Sequence, residues 1–324
     1  MRRTVYGIDL EIEDSLPAEL TDVLPVPEAS QGDDVATPLC LRRVPDGPTL
    51  AALSAGAPPT FESPTRHTSA MSALRFWSFP DRSLLWFTGI AGFWLGENEI
   101  GVSIRSPEVS RAAGVHLFGT VLPFWLEERG RSALHAAAVA VDGHAILFAG
   151  TNGAGKTTLV ASLLAAGHQL LADDVAVITD GARVQPAAPW MRMWPEAAHH
   201  WTGRDPASFE SVMPTVDKVR VPIGRSTFGA FCNRPSPMGR IVFPGRVAAD
   251  GEARLERMAP REALIELIRH SSVPRLLEAT NLRTASFERL AQVAETVPAF
   301  RLQVPDDLDR LPQVRQLVTS ELTA

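Results

Sequence analysis

The residues with the clearest chemistry are 150–157, which read GTNGAGKT and fit the pattern G-x-x-x-x-G-K-[ST] without a mismatch. Glycines let successive backbone N–H groups of such a loop point at phosphate oxygens, and a helix that begins there adds its positive end. The lysine of the pattern, Lys156, bridges the β- and γ-phosphates, and the Thr157 hydroxyl completes the coordination of Mg²⁺. The pattern predicts a site for ATP and Mg²⁺ formed by Gly150, Thr151, Asn152, Gly153, Ala154, Gly155, Lys156, Thr157 and Thr158.

Two adjacent acids, Asp173 and Asp174, follow the next apolar strand along the chain. Neighbouring side chains of a β-strand point to opposite faces, so the two carboxylates are expected to do different work. One would hold the metal, and the other would act as a general base on an incoming hydroxyl. The structural alternative is that one acid only caps the next turn. His135, just before the preceding pair of strands, is a further candidate, although an isolated histidine is more often structural.

Lysine is rare in this chain. Of its 31 basic residues only Lys156 and Lys218 are lysines. Lys218 lies with Arg220 in a short basic strand, where both side chains could clamp phosphates or an acceptor carboxylate. The alternative is a solvated surface strand. Arg192 is a weaker candidate of the same kind.

The elements that position these residues follow a nucleotide-binding order. Ala136–Val141 and His144–Ala149 read as strands joined by a two-residue hairpin turn at Asp142 and Gly143. The glycine loop, a helix over 156–166, a capping glycine and a strand over 168–172 come next. We therefore predict a βαβ unit in which the last strand runs directly into the two acids.

The rest of the chain indicates two domains, an N-terminal β-rich domain over 1–128 and a catalytic domain over 129–324. In the first domain apolar runs predict strands at 5–12, 39–44, 74–79, 84–92 and 100–104, loops at 25–38 and 56–69, and a helix over 107–129. In the second we predict an irregular segment at 185–201, strands at 175–179, 240–243, 255–258 and 299–304, and helices at 261–270, 286–296 and 306–322. The predicted fold class is α/β.

Composition excludes several classes of protein. The 324 residues are 45% hydrophobic and 21% charged, which suits packed domains rather than disorder. The net charge of −6 argues against a broad surface for nucleic acid or anionic lipid. No apolar run reaches the length of a membrane span, and the N-terminus shows no export signal. Two cysteines, Cys40 and Cys232, form no metal or disulfide pattern, so we expect a cytoplasmic protein.

Three runs of sequence resemble the catalytic core of bacterial HPr kinase/phosphorylase and its relatives. They are LHAAAV at 134–139, GTNGAGKT at 150–157 and GHQLLADD at 167–174. The resemblance is strongest to HPr-kinase-like proteins found beside genes for lasso peptides and other ribosomal peptides. It implies a fold akin to phosphoenolpyruvate carboxykinase, with the phosphate loop on a mixed sheet. It also implies that Asp173 is the general base, that His135 lies in the acceptor site, and that Asp174 helps to hold Mg²⁺.

The chain departs from that family after the aspartates. HPr kinase/phosphorylase carries a glycine-rich segment with Glu and Arg there, whereas this chain has WMRMWPE at 190–196. We therefore expect neither HPr as the acceptor nor the phosphorylase reaction.

The function expected from these observations is an ATP- and Mg²⁺-dependent kinase that phosphorylates a serine of a peptide. By resemblance, the acceptor is the C-terminal serine of a lasso-peptide precursor, and the protein forms a homo-oligomer. One alternative is a kinase of a small hydroxyl compound such as free serine. Another is a non-catalytic regulator that only senses ATP, although a sensor has no need of a second acid that faces an acceptor.

Overall fold

The computed structural model describes residues 1–21, 24, 38–44, 56, 58–65, 73–213 and 216–320. The chain divides into two compact units, Met1–Trp125 with Arg275–Leu282, and Leu126–Pro274 with Arg283–Ala324. Helices and mixed sheets occur together, as the predicted α/β class requires. The loop predicted at 25–38 lies outside the described residues except for Pro38, as do the last two residues of the helix predicted at 306–322. Of the loop predicted at 56–69, residues 57 and 66–69 lie outside them, and the described part contains a two-residue strand at Phe61–Glu62. No helix in the described part of the chain is long and apolar enough to cross a membrane.

The first unit is built on one sheet. Its described strands are β1 (Arg2–Val5), β2 (Ile8–Ile12), β3 (Leu39–Arg43), β4 (Phe61–Glu62), β5 (Leu74–Ser78), β6 (Ser83–Phe87), β7 (Ala91–Leu95) and β8 (Glu99–Ile104). They lie in the order β1-β2-β3-β8-β7-β6-β5-β4. Two of the predicted strands, at 5–12 and 84–92, are wrong in extent because each contains a turn. Tyr6 and Gly7 reverse the chain at φ values of 53° and 71°, and Gly89 does so at 76°.

A helical segment covers the region predicted at 107–129. It consists of a 3₁₀ turn at Pro107–Val109, α2 (Ser110–His116), a π turn at Leu117–Val121 and α3 (Leu122–Glu127), and α2 packs on the short helix α1 (Ala18–Thr21). Phe124 meets Phe76 of the sheet edge to face, with ring centroids 5.3 Å apart. The apolar side of this segment is therefore part of the first unit's core.

The second unit holds the remaining elements. Its described strands are β9 (Ser132–Leu134), β10 (Ala136–Val141), β11 (His144–Ala149), β12 (Gln169–Ala172), β13 (Ala176–Thr179), β14 (Arg183–Val184), β15 (Trp190–Met193), β16 (Glu210–Met213), β17 (Val216–Pro222), β18 (Ala230–Phe231), β19 (Ser236–Val247), β20 (Arg254–Arg257) and β21 (Ala299–Pro305). Its helices are α4 (Lys156–Ala165), α5 (Pro195–Thr202), α6 (Pro260–Arg269), α8 (Arg283–Thr296) and α9 (Leu311–Thr319), whereas α7 (Pro274–Ala279) belongs from Arg275 onwards to the first unit.

The large sheet of this unit is mixed. Its strands follow the order β18-β12-β10-β11-β19-β14-β13-β9, and β21 also pairs with β19 and with β20. The predicted hairpin between β10 and β11 is confirmed, with Asp142 at φ 48° and Gly143 at φ 83°. The predicted helix after the loop is confirmed as α4, and it buries Leu159, Val160 and Leu163 completely in the core.

A separate three-stranded sheet, β15-β17-β16, corrects one prediction. The segment 185–201 was expected to be irregular, but it contains β15 and α5. Along β15 the side chains alternate, with Met191 and Met193 fully buried in the core that includes α4, while Trp190 and Arg192 take the opposite face. The predicted basic strand with Lys218 is confirmed as β17.

Candidate active site

The pairing of three strands brings the predicted site residues to one edge of the large sheet. β10 lies antiparallel between β11 and β12, so its first residues lie beside the last residues of both neighbours. Ala136 pairs with Ala149, and Ala138 pairs with Ala172 next to a register shift at which β12 has one extra residue, Leu171. His135, the loop that begins at Gly150, and the acids after β12 therefore meet at this edge.

The glycine loop has the backbone that phosphate binding requires. Gly153 and Gly155 adopt φ values of 84° and 90°, a region that strains any other residue, and α4 begins immediately afterwards at Lys156. The Lys156 ammonium donates to the carbonyl oxygens of Gly150 at 2.5 Å and Thr151 at 3.1 Å. Burial lowers the pKa of Lys156, whereas the carboxylates of Asp174 and Asp173 raise it and Lys218 lowers it. The lysine, both acids and the second lysine thus share one electrostatic environment.

The two acids do not lie on a strand, which corrects the prediction that β12 runs into them with their side chains on opposite faces. β12 ends at Ala172, and the Val175 N–H donates to the Asp173 carbonyl at 2.8 Å, closing a three-residue turn. Asp174 stands at the centre of this turn with φ 69°. A non-glycine residue in that region costs about 1–3 kcal/mol, and such strain collects at functional sites.

Arg192 connects both carboxylates to β15. Its backbone N–H donates to Asp173 Oδ2 at 2.8 Å, and its guanidinium pairs with Asp174 Oδ2 at 2.8 Å. Burial and the neighbouring charge of Asp174 raise the pKa of Asp173 to about 6. The hydrogen bond from the Arg192 N–H and the charges of Arg192 and Lys218 act in the opposite direction but are weaker. A carboxylate with this pKa is ionised at neutral pH and is still basic enough to accept a proton from an alcohol during its reaction.

His135 lies between the loop and the acids. Its Nε2 is 3.3 Å from Asn152 Oδ1, and its Nδ1 is 3.7 Å from Asp174 Oδ1. Its backbone N–H donates to the carbonyl of His270 at 2.7 Å, so the backbone that carries it is fixed. The structure therefore places His135 next to the glycine loop and next to Asp174.

His270 and Glu266 are residues near the site that the sequence analysis did not select. The His270 ring is almost fully buried, stacks on Phe243 and lies 3.8 Å from Glu266 Oε2. Burial lowers its pKa, Glu266 raises it, and Lys156 and His135 lower it further. Their spacing of four residues at the end of α6 could have indicated that they interact with each other. The sequence could not show that they lie near the site, because the β-bridge between Leu134 and Ser271 that brings them there is a long-range contact.

Two further arginines, Lys218 and two threonines have different surroundings. Arg246, which follows Pro244 and Gly245 on β19, lies beside Gly155, with Nε 3.9 Å from the place a β-carbon would take, and pairs with Asp306 at 2.8 Å. Lys218 affects the pKa of both Lys156 and Asp173. Arg220 forms an ion pair with Glu210 of β16. Thr157 and Thr158 are half-buried in the first turn of α4.

The donors available for a cation suit Mg²⁺ bound together with phosphates. The described residues contain no group of three or more His, Cys, Asp or Glu side chains able to hold a metal by themselves. Mg²⁺ does not need such a group, because it keeps several waters and takes one or two carboxylates plus substrate phosphates. The Thr157 hydroxyl and the Asp174 carboxylate fit that requirement.

Comparison with known proteins finds likeness among solved structures alone. No family model matches the chain, and no curated protein matches it. Among solved structures, the chain is similar to the Hpr(Ser) kinase/phosphatase from Coxiella burnetii, with 14% sequence identity and a TM-score of 0.29. The similar region covers 57% of this chain and 93% of that chain. At this TM-score the likeness says nothing about the reaction, which must be inferred from the side chains described above.

The raised pKa of Asp173 predicts that replacing this acid stabilises the protein. Between its ordinary pKa and about 6 the folded protein keeps the proton that the unfolded chain loses, so wild-type stability falls as pH rises through this window and stays lower above it. Asp173→Asn cannot ionise and still accepts the Arg192 N–H. We expect it to raise the free energy of unfolding by about 1–2 kcal/mol at pH 8 in urea titrations, with a smaller difference at pH 4.5.

Asp174→Asn is the matched control, because that carboxylate is paired with the Arg192 guanidinium. We expect no stabilisation from it at pH 8. Equal stability of wild type and Asp173→Asn at both pH values would show that the Asp173 carboxylate carries no desolvation cost.

Proposed function

We propose that this protein is an ATP- and Mg²⁺-dependent kinase that transfers the γ-phosphoryl group to a hydroxyl. The observation that carries the proposal is the Asp173 carboxylate, whose pKa is raised to about 6, within the electrostatic reach of the Lys156 ammonium over the glycine loop. A base and a phosphate-binding cation that share one environment suit in-line transfer to an alcohol. An ATP sensor would need the loop and the lysine but not a desolvated second acid.

In the proposed reaction the loop N–H groups and Lys156 bind the ATP phosphates and stabilise the charge of the transferring group. Asp173 accepts the hydroxyl proton as the acceptor oxygen forms its bond to the γ-phosphorus and the bond to the β-phosphate oxygen breaks, which leaves ADP. Thr157 and Asp174 would hold Mg²⁺, which supplies positive charge to the phosphates. Arg192 fixes both carboxylates, and His135 lies where it can contact the acceptor.

We propose a serine side chain as the acceptor, and a peptide as the molecule that carries it. Support comes from the resemblance to HPr-kinase-like proteins of lasso-peptide clusters, in which the C-terminal serine of the precursor would be the target. The glycine-rich segment of HPr kinases is replaced by β15, whose half-buried side carries Trp190 and Arg192, so HPr itself is not the proposed acceptor. A kinase of free serine would use the same chemistry with a smaller acceptor.

Removing the loop ammonium is expected to abolish phosphoryl transfer while the fold remains. Lys156→Ala should lower acceptor-dependent ADP formation by at least about 10²–10³-fold, because one preorganised charge on the transferring group is lost. The measurement is ADP release with serine-containing peptides and free serine, together with the gain of one phosphate by mass spectrometry. Arg254→Ala, which removes an exposed cation paired with Glu256, is the control and should retain wild-type turnover. Full turnover of Lys156→Ala would exclude the mechanism.

The pH dependence of the reaction should report the base. With Asp173 near pKa 6, kcat/KM is expected to fall about tenfold per pH unit below pH 6 and to level off above it. Arg192→Met removes a cation that lowers this pKa, so the acidic limb should move to higher pH by about 0.5–1 unit. Profiles of kcat/KM from pH 5 to 8.5 for both proteins test this. An acidic limb that does not move would assign the titration to another group.

A further inference from the structure

One face of the three-stranded sheet brings cations and aromatic rings to the general base. Arg192 of β15 pairs with Arg220 of β17 in register, so both belong to the face opposite the buried methionines, and Lys218 shares it two residues away. The Arg192 guanidinium lies 5.5 Å from the centre of the Trp190 ring. The Lys218 ammonium lies 5.4 Å from the centre of the Trp194 ring.

The cations on this face differ in their partners. Arg192 is paired with Asp174, and Arg220 is paired with Glu210. For Lys218, no carboxylate of the described residues lies within ion-pair distance, and its contact is the cation–π interaction with Trp194. Lys218 is half-buried, and a cation in such a place is costly unless an anion completes its environment. The face therefore has one cation in excess, held in position by a ring.

The position of Lys218 restricts what that anion can be. Lys218 lies on β17, which pairs with β15, and the Arg192 N–H of β15 donates to Asp173 at 2.8 Å. The phosphates of the nucleotide already have the loop amides and Lys156. Trp194 is 53% exposed, so an apolar wall of the site is open next to the ammonium. An organic acceptor with a carboxylate near its reactive hydroxyl matches a cation, an aromatic wall and a base in one place.

Resting on the proposed kinase function, we infer that Lys218 and Trp194 bind the carboxylate end of the acceptor. The reacting hydroxyl then belongs to a hydroxy acid, either a serine at the C-terminus of a peptide or free serine, and not to an internal serine. Lys218 forms the ion pair with the carboxylate, and the Trp194 ring holds the ammonium and packs against the carbon atoms of the acceptor. Specificity arises because an amide at the same place leaves Lys218 without its anion.

The test compares two acceptors that differ only in this group, a short peptide ending in serine with a free carboxylate and the same peptide with a C-terminal amide. We expect wild type to prefer the free acid by about 10- to 100-fold in kcat/KM. Lys218→Met should lose most of this preference, because its kcat/KM falls much further for the acid than for the amide. Lys218→Arg keeps the charge and should restore a preference. The control is Arg254→Met, which removes one exposed positive charge from β20.

Binding measurements separate this inference from the proposed reaction. Calorimetry of both peptides in the presence of Mg²⁺ and a non-hydrolysable ATP analogue should show tighter binding of the free acid to wild type only. Carboxylate-dependent binding without phosphoryl transfer to any acceptor would support the inference and overturn the kinase function. Equal kcat/KM and equal affinity for acid and amide would overturn the inference and leave the kinase function standing. Weaker binding of the ATP analogue itself to Lys218→Met would assign Lys218 to the nucleotide and also overturn the inference.

Discussion

The site depends on the antiparallel strand β10 lying between the parallel strands β11 and β12. Because β10 runs the opposite way, its first residue meets the loop after β11 on one side and the turn after β12 on the other. Hydrogen-bond register within a sheet is fixed by buried side chains on alternate positions, so this meeting is rigid. The large core under α4 therefore helps to position the site residues, because a shift of β10 by one residue would separate His135 from Asn152 and Asp174.

At this edge of the large sheet, side chains of like charge lie close to each other. Burial and the adjacent charge of Asp174 make Asp173 harder to ionise, and burial and the charge of Lys218 lower the pKa of Lys156. The opposite charges nearby compensate only in part, so the pKa of Asp173 stays raised and that of Lys156 stays lowered. The strained φ of Asp174 adds to this cost. A folded protein keeps such an arrangement where the chemistry gains from a base and a cation that are both poorly solvated.

The sequence was informative where the determinants are local. The phosphate loop, the Asp142-Gly143 turn and the helix after Lys156 each follow from a few adjacent residues with defined backbone preferences, and all three lie where they were expected. The turn at Asp174 could not be foreseen, because a γ-turn at an aspartate is set by where β13 must go to pair with β9. The strand at 190–193 was missed although Trp, Met, Arg and Met alternate there. The prolines and tryptophans near this segment favoured the prediction of an irregular structure. The structure shows the alternation, because Met191 and Met193 are fully buried.

Arg192 shows why strand β15 matters to the proposed function. The Arg192 backbone N–H donates to Asp173, and its guanidinium pairs with Asp174. Strand β15 therefore cannot shift without disturbing both acids. The residue after this strand is Trp194, whose ring contacts Lys218. Positioning of the proposed base and recognition of the proposed acceptor therefore depend on neighbouring residues of one segment. In the proposed kinase, a change of acceptor during evolution would be made most easily at Trp194, because this exposed residue lies outside β15 and its substitution leaves Arg192 and the glycine loop untouched.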